Sequence, residues 1–209
     1  MSISGVILAA GQGTRMKSSL PKVLHNVLGI PMIVYAQEAI SHFDNKYVVV
    51  GHQSEKVSST LSETFIPVEQ KEQLGTGHAV VTLLESKEFK SDKSDYLIII
   101  PGDVPLIDKT ELDKLVQEVV KKDSPIGLIS AEVKNPSGYG RIVRDEDKVK
   151  KITEEADAND EERSISEINS GIYCVNKEFL ISNIKNIKSD NVQNEFYLTD
   201  LIEIAFQKE

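Results

Sequence analysis

"DYLIIIPGD", residues 95–103, is the stretch that decides how the chain folds. Successive side chains of a strand point to opposite faces, so the unbroken row Leu97, Ile98, Ile99, Ile100 predicts a strand covered on both sides, as in the middle of a parallel sheet. Pro101 and Gly102 end it, and Asp103 follows just past its C-terminal end. "GVILAA" (5–10) and "YVVVG" (47–51) read as further buried strands. Between the strands lie helical spacings. "PMIVYAQEAISHF" (31–43) places Ile33, Ala36, Ile40 and Phe43 on one face, with Pro31 in the first turn. "DKTELDKLVQEVVKK" (108–122) turns Leu112, Leu115, Val116 and Val119 inward, with Asp108 placed to cap. Strands alternating with amphipathic helices predict an α/β fold with a mostly parallel central sheet and helices on both faces.

Beyond residue 126 the texture changes. "IGLISAEV", "GRIVRD", "KVKKIT" and "SGIYCVN" read as strands, with a turn at "DEDK", and predict a small antiparallel part beside or over the parallel sheet. "EEADANDEERS" (154–164) reads as a solvated acidic loop, and "NEFYLTDLIEIAFQKE" (194–209) has helical spacing at Leu198, Leu201, Ile202 and Ala205. At 209 residues, with 40% hydrophobic and 27% charged residues, the chain is expected to form one domain over 1–209.

The 24 basic and 33 acidic residues leave a formal net charge of −9. That balance disfavours nucleic acid as a partner but leaves room for a small anion held by a local knot of positive charge. No apolar run approaches the roughly 20 residues of a membrane span, and the N-terminus lacks a secretory signal, so a cytoplasmic protein is expected. Cys174, in an apolar strand, reads as a small buried hydrophobe and not as a nucleophile. His25, His42, His52 and His78 have no ligand spacing among them.

The chemistry-bearing stretch is "LAAGQGTRMKSSLPKVLH" (8–25). A glycine turn between a strand and a helix lets backbone amides approach a phosphate closely, and Gly11 and Gly13 sit at such a turn. Met16 stands where a dinucleotide fingerprint needs its third glycine, and Thr14 and Arg15 stand where the phosphate loop of nucleotide hydrolases needs lysine and a hydroxyl. What remains is a glycine loop followed by Arg15, Lys17 and Lys22, read as phosphate-binding against the plainer reading of a surface turn. Asp103 lies at the strand edge where open α/β sheets bind ligands. A carboxylate there, beside a triphosphate, can hold magnesium; the plainer reading is a turn aspartate. Gln70 and Gln73 precede "LGTGHA", and amide side chains can both donate to and accept from a nucleobase edge.

Taken in order, "LAAGQGTRMKSSLPKVLH", "EQLGTGHA", "GDVPLI", "GYGRI", "EINSGIY" and "FYLTD" resemble the bacterial N-acetylglucosamine-1-phosphate uridylyltransferases over roughly residues 5–207. The resemblance implies a Rossmann-like nucleotidyltransferase fold and a magnesium-dependent reaction of UTP with N-acetylglucosamine 1-phosphate. The products are UDP-N-acetylglucosamine, a cell-wall precursor, and pyrophosphate. It further implies that Leu8, Ala9, Ala10, Gly11, Gly13, Thr14, Gln70, Gln73, Gly75 and Thr76 bind the nucleotide. Arg15 would grip the triphosphate, Lys22 the reacting phosphates, and Asp103 the magnesium ion. Gly140, Glu154 and Asn169, with Tyr197 and Thr199, would meet the sugar.

Members of that family continue past the point where this sequence ends. They carry there an asparagine that is the second protein ligand of the metal, and an acetyltransferase β-helix that builds a trimer. A monomer or weak oligomer is therefore expected here, with two alternatives open: a binding module of little turnover, or a transferase for another base or sugar. Pro101 before "GD" and Asn194, where a glycine is usual, are smaller departures.

Overall fold

The computed structural model describes residues 1–13 and 16–208. Strand β1 (Ile3–Ala9) opens the chain and is followed by an irregular loop. Among the described residues no α-helix stands between the glycines and Met32, in contrast to the expected strand-turn-helix. The segment ends at Pro21, which disfavours helix at Leu20, and leads only into a short 3-10 turn, Lys22–Leu24. A hairpin of two-residue strands, β2 (Asn26–Val27) and β3 (Ile30–Pro31), comes before the first α-helix, α1 (Met32–Ile40). Then come β4 (Asn45–Val50), the short α2 (Ser54–Ser58), β5 (Ile66–Glu69), α3 (Thr76–Glu85), β6 (Tyr96–Pro101) and α4 (Lys109–Lys121). As expected, the Asp108 carboxylate caps α4, accepting from the Thr110 amide at 2.7 Å.

The second half adds β7 (Ile126–Glu132), β8 (Arg141–Asp145), β9 (Lys148–Thr153), α5 (Asp160–Arg163), β10 (Glu167–Asn176), α6 (Lys177–Asn183) and α7 (Asp200–Phe206). The final helix is shorter than the apolar spacing suggested: Leu198 lies before it, buried in a turn. The segment expected as a solvated excursion is mostly exposed, but part of it is tied into the fold. Asn159 and Glu162 close a capping box on α5, Ala158 is buried, and Glu162 accepts from Lys151 and Thr153.

Among the described residues one sheet carries eight strands. β5, β4, β1 and β6 run parallel in that spatial order. β10 then pairs antiparallel with β6 and carries β7 and the β8–β9 hairpin. The antiparallel part thus extends the same sheet sideways. Alternation explains the unbroken apolar runs: Val6, Val49, Leu97, Ile99 and Tyr173 pack on one side with α3, α6 and α7. Ile7, Val48, Ile98, Ile100 and Cys174 pack on the other with α1 and α4. Cys174 is fully buried there, and burial pushes its thiol up to about 12, which suits a packing residue. Among the described residues no helix is long and apolar enough to cross a membrane.

Candidate active site

A cavity of about 600 Å³ opens at the C-terminal ends of β1, β5 and β6, bounded by the middle of β10 and the segment 195–199. Leu8, Ala10, Gly11 and Gly13 line it from the β1 side, Gln70, Gln73, Gly75 and Thr76 from the β5–α3 connection, and Asp103 from the end of β6. Glu154, Asn169 and Thr199 form the far wall. Residues more than 190 positions apart in sequence therefore face one volume.

Four of the expected residues that the structure describes, Ala9, Tyr197, Gly140 and Lys22, do not line it. Ala9 points into the opposite core layer, because the strand alternates and Leu8 and Ala10 take the cavity side. Tyr197 is buried, donating to Gln193 Oε1 at 3.0 Å; burial, with Asp157 beside it, raises its phenol well above the ordinary range. Gly140 stands behind the wall, where an added Cβ would sit 3.4 Å from both Glu154 carboxylate oxygens. Thr14 and Arg15 lie outside the described residues. Lys22 reaches the site through its ion pair with Asp103, while Lys17 is exposed. Conversely, Gln12, Pro101, Tyr173 and Glu195 line the cavity without having been expected. Burial pushes the Glu195 carboxyl above its ordinary value.

Local geometry shows what the glycines do. Gly13 has φ +63°, and a Cβ there would come within 2.6 Å of Lys22 Cβ, so the bare backbone lets the Lys22 turn pack against the loop. Gly75, at φ +104° and ψ 175°, is the residue before α3, and a Cβ there would meet Phe196 O at 2.6 Å. The "LGTG" glycines thus serve the docking of 195–198. Phe196 N–H donates to Leu74 O at 2.8 Å, Gly77 N–H to Phe196 O at 2.7 Å, and Leu198 N–H to Thr76 Oγ1 at 3.0 Å. Asn194, at φ +54°, supplies the left-handed turn that starts this segment, a conformation that asparagine and glycine adopt more readily than other residues.

The polar groups are held by the fold. Gln70, 3% exposed, spends its amide nitrogen on Gly75 O (3.2 Å) and His78 Nδ1 (2.9 Å), and this directs its oxygen as the group left to accept. Gln73 donates to Gln70 O at 2.9 Å. Asn169 donates to the Tyr173 hydroxyl at 2.7 Å, and Thr199 donates to Glu154 Oε1 at 3.3 Å. Among the described residues no group of three or more His, Cys, Asp or Glu could hold a metal ion. Asp103 is a carboxylate at the strand edge that could share a divalent ion with substrate oxygens and water.

Known proteins share this fold. The structure superposes on a UDP-glucose pyrophosphorylase complexed with UDP-glucose with a TM-score of 0.77 at 19% identity, covering 100% of this chain and 88% of the other. It superposes on a putative glucose-1-phosphate thymidylyltransferase from Bacillus anthracis with a TM-score of 0.80 at 23% identity, covering 99% and 84%. The fold is therefore the Rossmann-like nucleotidyltransferase fold. In sequence, the bifunctional protein GlmU of Acetivibrio thermocellus is 41% identical over 209 residues, and that of Geotalea uraniireducens 46% over 212. These alignments take in 99% and 98% of this chain but 45% of each relative, so the chain spans under half the length of the curated relatives it matches. The MobA-like NTP transferase domain matches residues 5–166, a span running from β1 through the glycine loop, Asp103 and Glu154. With most of its length inside that match, this chain belongs to the MobA-like NTP transferase domain family.

Proposed function

We propose that this chain transfers a uridylyl group from UTP to N-acetylglucosamine 1-phosphate, giving UDP-N-acetylglucosamine and pyrophosphate. The observation that carries the reading is the single cavity in which Gly11, Gln70, Asp103, Glu154, Asn169 and Thr199 meet. Gly11, Asp103, Asn169 and Thr199 come from successive motifs of the same resemblance, and Gln70 and Glu154 from the stretches between them. The sugar phosphate is itself an oxyanion and needs no general base. The difficulty is to bring it up to a more highly charged triphosphate and to stabilise the departing pyrophosphate. The exposed loop at Gly11 offers backbone to the phosphates, and Lys22, with Arg15, supplies positive charge. Magnesium on Asp103, when bound, would screen the phosphate oxygens. The Gln70 oxygen suits a base that presents an N–H, as uracil does. Glu154, Asn169 and Thr199 offer hydroxyl-binding groups on the far wall.

Lys22 and Asp103 form an ion pair with one another. Binding of a metal–triphosphate complex would separate them, with Lys22 moving to the phosphates.

A panel of nucleoside triphosphates and sugar 1-phosphates, with pyrophosphate release as the readout, tests the proposal. Turnover restricted to UTP with N-acetylglucosamine 1-phosphate, and dependent on magnesium, is expected. Turnover with another pair would reassign base or sugar. Binding of UDP-N-acetylglucosamine without turnover would make the chain a nucleotide-sugar binding module.

A further inference from the structure

We propose that Arg141 and Glu155, neither of which lines the cavity, form a positioning pair that sets the wall meeting the sugar; this rests on the reading of that wall just given. Arg141 is the first residue of β8 and only 2% exposed. Its Nη2 donates to Glu155 Oε2 at 2.7 Å, and its Nη1 donates to Tyr139 O. The same Glu155 oxygen accepts the Gly138 amide at 3.1 Å. One carboxylate and one guanidinium therefore hold the Gly138 amide and the Tyr139 carbonyl of the turn 138–140.

That turn touches the cavity wall twice. The Gly140 carbonyl accepts the Asn169 amide at 2.8 Å, which seats Asn169 at the mouth of the β10 irregularity. The Gly140 Cα faces the Glu154 carboxylate closely enough that a Cβ would be in contact with both its oxygens. Asn169 and Glu154 both line the cavity, so a shift of the turn moves two of its polar groups together.

Stability alone gives a poor account of the pair. Arg141 Nε is buried with no partner among the described residues, and an ion pair whose carboxylate is open to water contributes little to stability. What the planar guanidinium does provide is two donors at fixed separation, one for Tyr139 O and one for Glu155, which the point charge of a lysine cannot reproduce. The hydrogen bonds from Arg141 and the Gly138 amide hold the Glu155 carboxyl below its ordinary range, so it remains a charged partner.

The test uses the whole chain with Glu155→Gln and Arg141→Lys, titrated calorimetrically with UDP and with UDP-N-acetylglucosamine. Wild type should bind the sugar nucleotide more tightly than UDP. In both variants that preference should shrink by about tenfold, the scale of a charged hydrogen bond, while UDP affinity stays within about twofold. Should Arg141→Lys fail to fold, Glu155→Gln carries the test, because Glu155 is 36% exposed and a glutamine oxygen can still accept from Gly138. An unchanged preference, or a parallel loss of UDP affinity, would overturn the positioning role. A wild type with no sugar preference would overturn the sugar reading of the wall, and the pair's role with it.

Discussion

Gly11 and Gly75 both border the cavity, yet an alanine at each should do opposite things. At Gly75 the backbone lies in a region that only glycine occupies readily, and the new methyl would sit 2.6 Å from Phe196 O and 2.9 Å from Phe196 N. The obstacle is backbone, so it cannot swing aside. Strain of this kind costs on the order of 1–3 kcal/mol, and loss of the contacts of 195–198 raises the expected total to about 3 kcal/mol. For a domain of this size each kcal/mol lowers Tm by roughly 2–4 °C, so Gly75→Ala should melt about 6–12 °C lower. At Gly11 an added Cβ finds nothing within 4 Å, and no positive φ is required. Stability should therefore change by no more than about 0.5 kcal/mol. If a triphosphate rests on this loop, however, the methyl occupies its place, and losing one charged backbone contact should weaken UTP binding by roughly tenfold to a hundredfold. Thermal melting and isothermal titration on the two variants separate the effects. Wild-type UTP affinity in Gly11→Ala, or a Tm loss in it matching that of Gly75→Ala, would refute the phosphate role of the loop.

Lys22→Ala and Asp103→Ala should each lower kcat/KM for pyrophosphate release by about a hundredfold or more while leaving Tm near wild type; full turnover in both would show that the site is misassigned. At the opposite end of the sheet the fully buried Asp92 side chain accepts from Ser4 (2.6 Å), Tyr47 (3.1 Å), Ser94 and Lys177 (3.0 Å). Asp92→Ala should cost about 3–5 kcal/mol in urea unfolding, because it strands the Lys177 ammonium. Burial raises the Asp92 pKa, but those hydrogen bonds outweigh it and bring it from 3.8 to about 2. Its stabilisation, about 2 kcal/mol, should be complete above about pH 4 and fade as the pH falls towards 2, a dependence Asp92→Asn should lack. Asp200 has the opposite sign: burial, then Glu203 and Asp157, push it from 3.8 to about 6. The stability it contributes in its protonated form should decline as the pH rises from about 4 to 6, and Asp200→Asn should flatten that decline in melting curves; an unchanged slope would reject the assignment.

Glycine is the residue type that sequence reading handled least well. "LGTG" was legible as a loop before a helix, but the partner that demands Gly75 lies about 120 residues away, at Phe196, and only the fold brings it there. The glycine loop was legible as glycines and cations, whereas the absence of an α-helix among the described residues before Met32 follows from Pro21 and the hairpin after it. Ala9 could have been set aside from sequence, since a period of two separates it from Leu8 and Ala10. Tyr197 could not, because it is buried beside Asp157, 40 residues earlier in the chain. Strand β5 escaped notice for a different reason: in "IPVE" only Val68 is buried, so at the sheet edge the apolar signal is nearly absent.

From the sequence alone came the layered α/β architecture, because local apolar periodicity reports which faces are covered: Leu97 to Ile100 with one core on each side, and the inward stripes of α1 and α4. The order of the motifs likewise pointed to the family. The wall of the cavity was decided by tertiary structure, in the way β10 turns antiparallel beside β6, the 138–140 turn is tied to Asn169, and residues 195–199 close over α3. Those contacts join segments far apart in the chain, and no local pattern of residues encodes the separation between two surfaces that meet only after folding.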